Sequence, residues 1–260
     1  MVESDRLFAS VEEAISVNTG IPFELHSQNS LSGGCINQSS RIQAKDGTVY
    51  FVKRNGVDFF PFFYAEAEAL REIGSTHTIR VPQVISVGKT SEVSFLVLEY
   101  LELGSGNNKG QKELGKQLAK LHRIKQPCFG WNQDNCIGAT PQPNPKTEDW
   151  IDFYRNHRLN HQFKLSEQKG KRFNDSEKLL EQIDFFFDDY LPHPSLLHGD
   201  LWGGNAACDT QGTPFIFDPA SYYGDRESDI AFTYMFGGFS PAFYEAYENH
   251  YPLDQGFRHR

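Results

Sequence analysis

No stretch of this chain approaches the roughly 18 consecutive apolar residues that a membrane span needs. Its opening, MVESDRLFAS, has neither the basic start nor the apolar run of a secretory leader. Both absences lead to the expectation of a cytoplasmic protein with no membrane partner. Cysteine is scarce as well: Cys35, Cys128, Cys136 and Cys208 are widely spread through 260 residues and form no C-x-x-C pair, which argues against a zinc ribbon or a disulfide scaffold and for reduced thiols. Positive charge is in deficit, with 25 Lys and Arg against 34 Asp and Glu. The densest basic cluster is KGKR (169–172), so an extended nucleic-acid footprint is not expected, and an anionic ligand would need a local pocket. No internal repeat or low-complexity tract appears.

The first hundred residues carry strand and turn signals. FELHSQNS, CINQSSRIQA and TVYFVKRN are β-type runs, separated by Ser-Gly-Gly at 32–34 and Lys-Asp-Gly at 45–47. A helix follows in FFYAEAEALREIG, where Phe63, Ala67, Leu70 and Ile73 recur at helical spacing; VPQVISVG and SFLVLEYL then read as two more strands. After the Gly/Asn segment 104–108 the character changes. ELGKQLAKLH aligns Leu114, Leu118 and Leu121, and SEKLLEQIDFFFDDYL aligns Leu179, Ile183, Phe186 and Tyr190, with the Pro/Asn-rich loop ATPQPNPKTEDW between them. The expected class is α+β and two-lobed: a small antiparallel-sheet lobe over 1–103 and a larger, mostly helical lobe over 104–260.

The chemistry centres on LLHGDLWGGN, which begins at Leu196. Asp200 stands five positions before Asn205, and PFIFDPA places Asp218 at the end of an apolar strand after the turn Thr210-Gln211-Gly212. The segment between reads as a hairpin that brings Asn205 and Asp218 together. An amide and a carboxylate beside a second carboxylate suit a magnesium-nucleotide site in which oxygens hold the metal and Asp200 remains to accept a hydroxyl proton. The spacing matches the protein-kinase catalytic loop, but Gly follows His198 and DPA replaces DFG, which points toward small-molecule kinases of similar fold.

The N-terminal half then has to meet the phosphates. Gly33 and Gly34, with Cys35 directly after them, form a plausible glycine-rich cover, and Lys53 closes an apolar strand where a phosphate-binding lysine belongs. Glu66 and Glu68 both offer that lysine a partner. Glu66 falls about 60° from Phe63 on the apolar face and Glu68 about 140° away, so Glu66 is the inward one, and pairing explains a carboxylate on that face. The main chain at Glu99, Tyr100 and Leu101 is the candidate adenine contact, although an ordinary core strand fits equally well. VGKTSE is not a Walker A loop, because Val84 stands where its glycine is needed.

HGDLWGGN, FDPASYYGDRESDIA, FGWNQDNCIGATPQPN, IRVPQV and WIDFYRNHRL together resemble signatures of the fructosamine kinase (ketosamine 3-kinase) family, a branch of the aminoglycoside and choline kinase-like fold. The resemblance implies ATP- and Mg2+-dependent phosphorylation of the sugar 3-hydroxyl of ketosamines, free or on glycated proteins. It also implies Asp200 as base, Asn205 and Asp218 as metal ligands, Lys53 and Glu66 as the phosphate-positioning pair, and Trp202 as a substrate-side contact. Trp202 offers a flat apolar face to a sugar, with filling the core beneath the loop as its alternative role. His198 reads as a loop brace rather than a catalyst, and Asp229, at the start of the helical run IAFTYMF, as a cap or a loop brace. The ending YPLDQGFRHR is a departure, since the family looks as though it continues into another helix. Cys35, beside backbone N–H groups and Lys53, is expected to be oxidation-prone, giving a monomer or a Cys35-linked homodimer. The alternatives are a kinase for choline, an aminoglycoside or a homoserine-like alcohol, and a pseudokinase-like nucleotide-binding module.

Overall fold

The computed structural model describes residues 7–31 and 36–260. Gly33, Gly34 and Cys35 lie outside the described residues, and so do the expectations of a glycine-rich phosphate cover and a redox-active thiol. The chain divides into two compact units, one comprising Met1–Asn107 and Ala206–Pro219, the other Asn108–Asn205 and Ala220–Arg260.

The first unit opens with a helix that periodicity alone did not reveal, α1 (Val11–Thr19). Its signal is in the caps: the Ser10 side chain accepts the Glu13 N–H, Glu13 reaches back to the Ala9 N–H, and Gly20 closes the helix at φ 71°. Five antiparallel strands follow, β1 (Leu25–Leu31), β2 (Gln38–Ala44), β3 (Val49–Gly56), β4 (Val84–Lys89) and β5 (Val93–Glu99), in the order β1-β2-β3-β5-β4. Strand alternation makes β5 two-sided. Phe95 and Val97 pack with Ile42, Val52, Ala14 and Ile15 on one face, while Leu96 and Leu98 pack with Phe63, Ala67 and Leu70 of α2 (Phe60–Ser75) on the other.

The same unit takes in an antiparallel hairpin of strands Ala206–Cys208 and Pro214–Ile216. The sequence reading ended the first lobe at residue 103 and left this hairpin with the second. Three bonds draw it to the first unit: Ile216 N–H donates to the Arg80 carbonyl (3.0 Å), Gly104 N–H donates to the Cys208 carbonyl (2.9 Å), and Arg80 bridges Asp209 (2.8 Å) and Glu99 (2.9 Å). Gly104 is required here, since a Cβ would lie 2.2 Å from the Asp209 carbonyl oxygen.

The second unit contains α3 (Asn108–Leu121), α4 (Trp150–Tyr154), α5 (Asn160–Gln168), α6 (Ser176–Gln182), α7 (Arg226–Thr233) and α8 (Pro241–His250), with a π-helical turn, Arg155–Leu159, joining α4 to α5. Leu114, Leu118 and Leu121 are buried as their spacing requires, and α3 packs against α8 with the Phe243 carbonyl over Gly115. The long helix expected from SEKLLEQIDFFFDDYL stops at Gln182 and tightens into a 3-10 turn, Ile183–Phe187. Three successive phenylalanines cannot share one helical face, and of the aligned set Ile183 is buried while Leu179 and Phe186 are exposed. The Pro/Asn-rich stretch is not all loop. Its Thr140–Gln142 pairs with Asn135–Ile137, just upstream, in a hairpin whose buried amides serve as braces: Asn135 donates to the Ser221 carbonyl (2.8 Å) and Gln142 to the Ala220 carbonyl (3.1 Å). Cys128 and Cys136 are half-buried and Cys208 is buried, and none of these three forms a disulfide. Among the described residues no helix is long and apolar enough to cross a membrane.

Candidate active site

In the first unit three of the expected residues meet. Lys53 Nζ, 6% exposed at the end of the apolar run of β3, donates to Glu66 Oε1 at 2.7 Å and to Asp218 Oδ1 at 2.5 Å. Glu66 is the inward-facing carboxylate of α2, whereas Glu68 pairs with Arg71 at its exposed surface. Burial draws the Lys53 ammonium down, but the charges of Asp218 and Glu66 outweigh it and hold the group above the ordinary lysine value. Glu66 is pushed up to about 7 by burial, against the pull of Lys53 and with the added push of the Asp218 charge. One cation serves two carboxylates, so the cluster carries an excess of negative charge. Asp218 stands in the left-handed region (φ 58°) with its side chain 43% exposed.

Neighbouring groups already meet two of the residues proposed to contact adenine. The Glu99 N–H already donates to the Gln83 carbonyl (2.8 Å) and the Glu99 side chain pairs with Arg80. Tyr100 lies under the Arg41 guanidinium, 5.3 Å from its ring centre.

In the second unit the loop around Asp200 is held from below. Gly199 takes φ 83°, and a Cβ there would lie 2.1 Å from the Ala220 oxygen. Asp229, inside α7, accepts the His198 N–H at 2.7 Å and the Gly199 N–H at 2.8 Å, which makes it a loop brace; the cap of α7 is Asp225. Buried His198 in turn accepts the Asp200 N–H through Nδ1 (3.2 Å). Asn205 donates through Nδ2 to the Asp200 carbonyl (2.8 Å) and to Asp200 Oδ2 (3.1 Å), fixing the carboxylate and turning its own amide oxygen the other way. Trp202 is half-buried: its ring lies over Gly204, where a Cβ would come within 2.3 Å, and its centroid is 5.2 Å from that of Phe236.

Behind Asp229 runs a chain of bonds that the motif reading did not contain. Donor chemistry gives it one direction: Arg226 donates to the Tyr247 oxygen (3.2 Å), the Tyr247 hydroxyl to His122 Nδ1 (2.8 Å), and His122 Nε2–H to Asp229 Oδ2 (3.2 Å). Burial lowers the His122 pKa, which keeps the ring neutral for this role. Burial works to raise Asp229, but His122, His198 and the Gly199 N–H hold its carboxyl below the ordinary value. His122 was legible in principle. It continues the Leu114, Leu118 face of α3 by one more turn, and a polar residue on an apolar face is the signal that selected Glu66.

The donor chemistry at the expected metal ligands fits a hard cation. Asp218 is a partly exposed carboxylate, and Asn205 has an amide oxygen turned from Asp200; both are oxygen ligands of the kind magnesium takes beside water and phosphate. Among the described residues no cluster of three His, Cys, Asp or Glu side chains could hold a metal ion.

A family model described as fructosamine kinase matches residues 7–260. A protein of Synechocystis sp. named "probable ketoamine kinase" is 44% identical over 261 residues, which cover 100% of this chain and 88% of that one. The rice chloroplastic protein-ribulosamine 3-kinase is 39% identical over 241 residues, covering 89% of this chain and 69% of its own length. A crystal structure named for a fructosamine-3-kinase, from Haemophilus somnus 129PT, superposes with a TM-score of 0.91 at 30% identity, over 96% of this chain and 85% of the other. The fold is thus the two-lobed α+β architecture of the protein-kinase-like phosphotransferases, and the chain belongs to the fructosamine kinase family.

Proposed function

We propose that the protein is an ATP-dependent kinase that phosphorylates the sugar 3-hydroxyl of ketosamines, fructosamine or ribulosamine, on small amines or glycated proteins. The observation that carries this reading is Asp200, oriented through its main chain by His198 and through its carboxylate by Asn205, in a chain that matches the family along nearly its whole length. Asp200 takes the proton of the attacking hydroxyl. The hydroxyl oxygen bonds to the γ-phosphorus as the bond from that phosphorus to the β-bridging oxygen breaks, and ADP leaves. Asn205 and Asp218 would hold magnesium, and the bound metal would neutralise charge on the phosphates. Lys53 is kept charged by its carboxylates and Glu66 fixes its position, so it is ready to pair with phosphate oxygens. The main chain at Glu99, Tyr100 and Leu101 supplies contacts to adenine, and Trp202 borders the acceptor.

The test is ATP turnover by the purified protein against free fructosamines, ribulosamines, simple sugars, choline and an aminoglycoside. Ketosamines are expected to react fastest, and Asp200→Asn to lower turnover by about 10² to 10⁴ with nucleotide binding retained. Faster turnover of choline or an aminoglycoside would overturn the substrate assignment. An Asp200→Asn enzyme within tenfold of wild type would overturn the base.

A further inference from the structure

Phe236 is placed at a cost that its own packing does not explain. Its side chain is 72% exposed and its backbone stands at φ 56°, ψ 33°, the left-handed region that a bulky residue rarely enters. The segment carrying it is nonetheless held firmly. The Tyr244 hydroxyl accepts the Phe239 N–H at 3.1 Å and bonds Thr233 Oγ1 at 3.1 Å, while Tyr234 stacks on the Tyr244 ring at 4.4 Å with 4° between planes. Gly237 and Gly238 carry the chain back at φ 102° and 75°. A loop pinned at both ends therefore presents an aromatic ring to solvent.

What that ring faces gives the placement a purpose. Phe236 meets Trp202 with 5.2 Å between centroids and 60° between planes, and Trp202 is two residues from Asp200. Since Trp202 lies over Gly204, its position is fixed as well. Two fixed rings at that angle make an apolar corner. A flat purine uses one aromatic face, whereas a puckered sugar ring turns C–H groups in more than one direction and can meet both.

We propose that Phe236 and Trp202 together form the subsite for the apolar face of the acceptor sugar, with Phe236 as a specificity-determining residue. This rests on the ketosamine kinase reading above. The backbone strain at Phe236 is then retained because it sets the angle of the corner.

Strain and recognition separate in one substitution. Glycine at position 236 removes the ring and relieves the left-handed backbone together. Phe236→Gly should keep the melting temperature of the unliganded protein at or above that of wild type, raise KM for a ketosamine about tenfold, and leave KM for ATP unchanged. Phe236→Tyr, which restores the ring, should bring the ketosamine KM back to within about twofold of wild type. A lower melting temperature in Phe236→Gly with an unchanged ketosamine KM would overturn the proposal and make Phe236 a packing residue. Equal rises in both KM values would overturn it too, because the effect would no longer belong to the acceptor. Wild type that turns over choline but no ketosamine counts against the proposed function itself, a result that the Phe236 variants cannot mimic.

Discussion

Two carboxylate clusters, one in each unit, show how the same chemistry can be left open or closed. In the first, Glu66 and Asp218 share the single ammonium of Lys53, and Glu66 is pushed up to about 7. In the second, Asp229 accepts two backbone N–H groups and His122, which is itself supplied by Tyr247, and its carboxyl is held low. The second cluster has a donor for each acceptor and calls for no ligand. The first has more negative charge than its cation balances, so a cation arriving near Asp218 improves it. Buried polar groups fix a structure when fully satisfied and mark a site of exchange when they are not.

Removing the closed cluster should have the largest effect on stability. Asp229→Ala leaves two N–H groups and His122 without their acceptor, and should lower the unfolding free energy by about 3–5 kcal/mol in urea titration. A loss below about 1 kcal/mol would mean that the loop is held some other way.

The open cluster should declare itself through pH. Glu66 has a folded pKa near 7 against an unfolded 4.5, so the unfolded chain gives up that proton first. Stability from this group is complete below about 4.5 and declines as pH rises through 7. Asp229, held low, has the opposite sign: its contribution is present above 3.8 and fades as pH falls through its folded value. Glu66→Gln should therefore flatten the stability profile between pH 4.5 and 7, measured by denaturant midpoints, and should also slow turnover. An unaltered slope would remove the claim of excess charge.

The smallest effect is expected at the far end of the closed chain. Tyr247→Phe removes one hydroxyl and leaves His122 Nδ1 without its donor, for a loss of about 1 kcal/mol. Imidazole nitrogen shifts in NMR should show His122 as the neutral Nε2–H tautomer in the wild-type protein. An Nδ1–H tautomer would reverse the direction assigned to these bonds.

Much of the first unit was legible because its signals are local. Strand alternation around Val52 and Phe95, and the helical spacing of Phe63, Ala67 and Leu70, specify faces directly, and a charged residue on such a face selected Glu66 over Glu68. What escaped was non-local or depended on caps. α1 shows weak periodicity but carries a capping box, and the allegiance of the hairpin depends on Arg80 meeting Asp209, 129 positions away. In the second unit Asp200 and Asn205 stood out by spacing, and of the two roles read for Asp229, cap or brace, the structure selects the brace. His122, Tyr247 and Arg226 come from α3, α8 and α7, and no single motif spans them. Phe236 was invisible for another reason, since positive φ on a phenylalanine leaves no mark in a sequence.

The bond between Arg80 and Asp209 also has to form late in biosynthesis. Ribosomes emit the chain from its N-terminus at about 5–20 residues per second, so the five-stranded sheet exists as a nascent chain on the order of ten seconds before its last hairpin emerges. During that interval the Arg80 carbonyl and guanidinium lack Ile216 and Asp209, and Lys53 has Glu66 but not Asp218. The sheet must wait, unfinished, for the whole first segment of the other unit, Asn108–Asn205, to be translated. A fragment ending at Asn107 would lack Asp218, one of the two carboxylates that pair with Lys53, so in this protein the boundary of a folding unit is not a point where the gene can be cut.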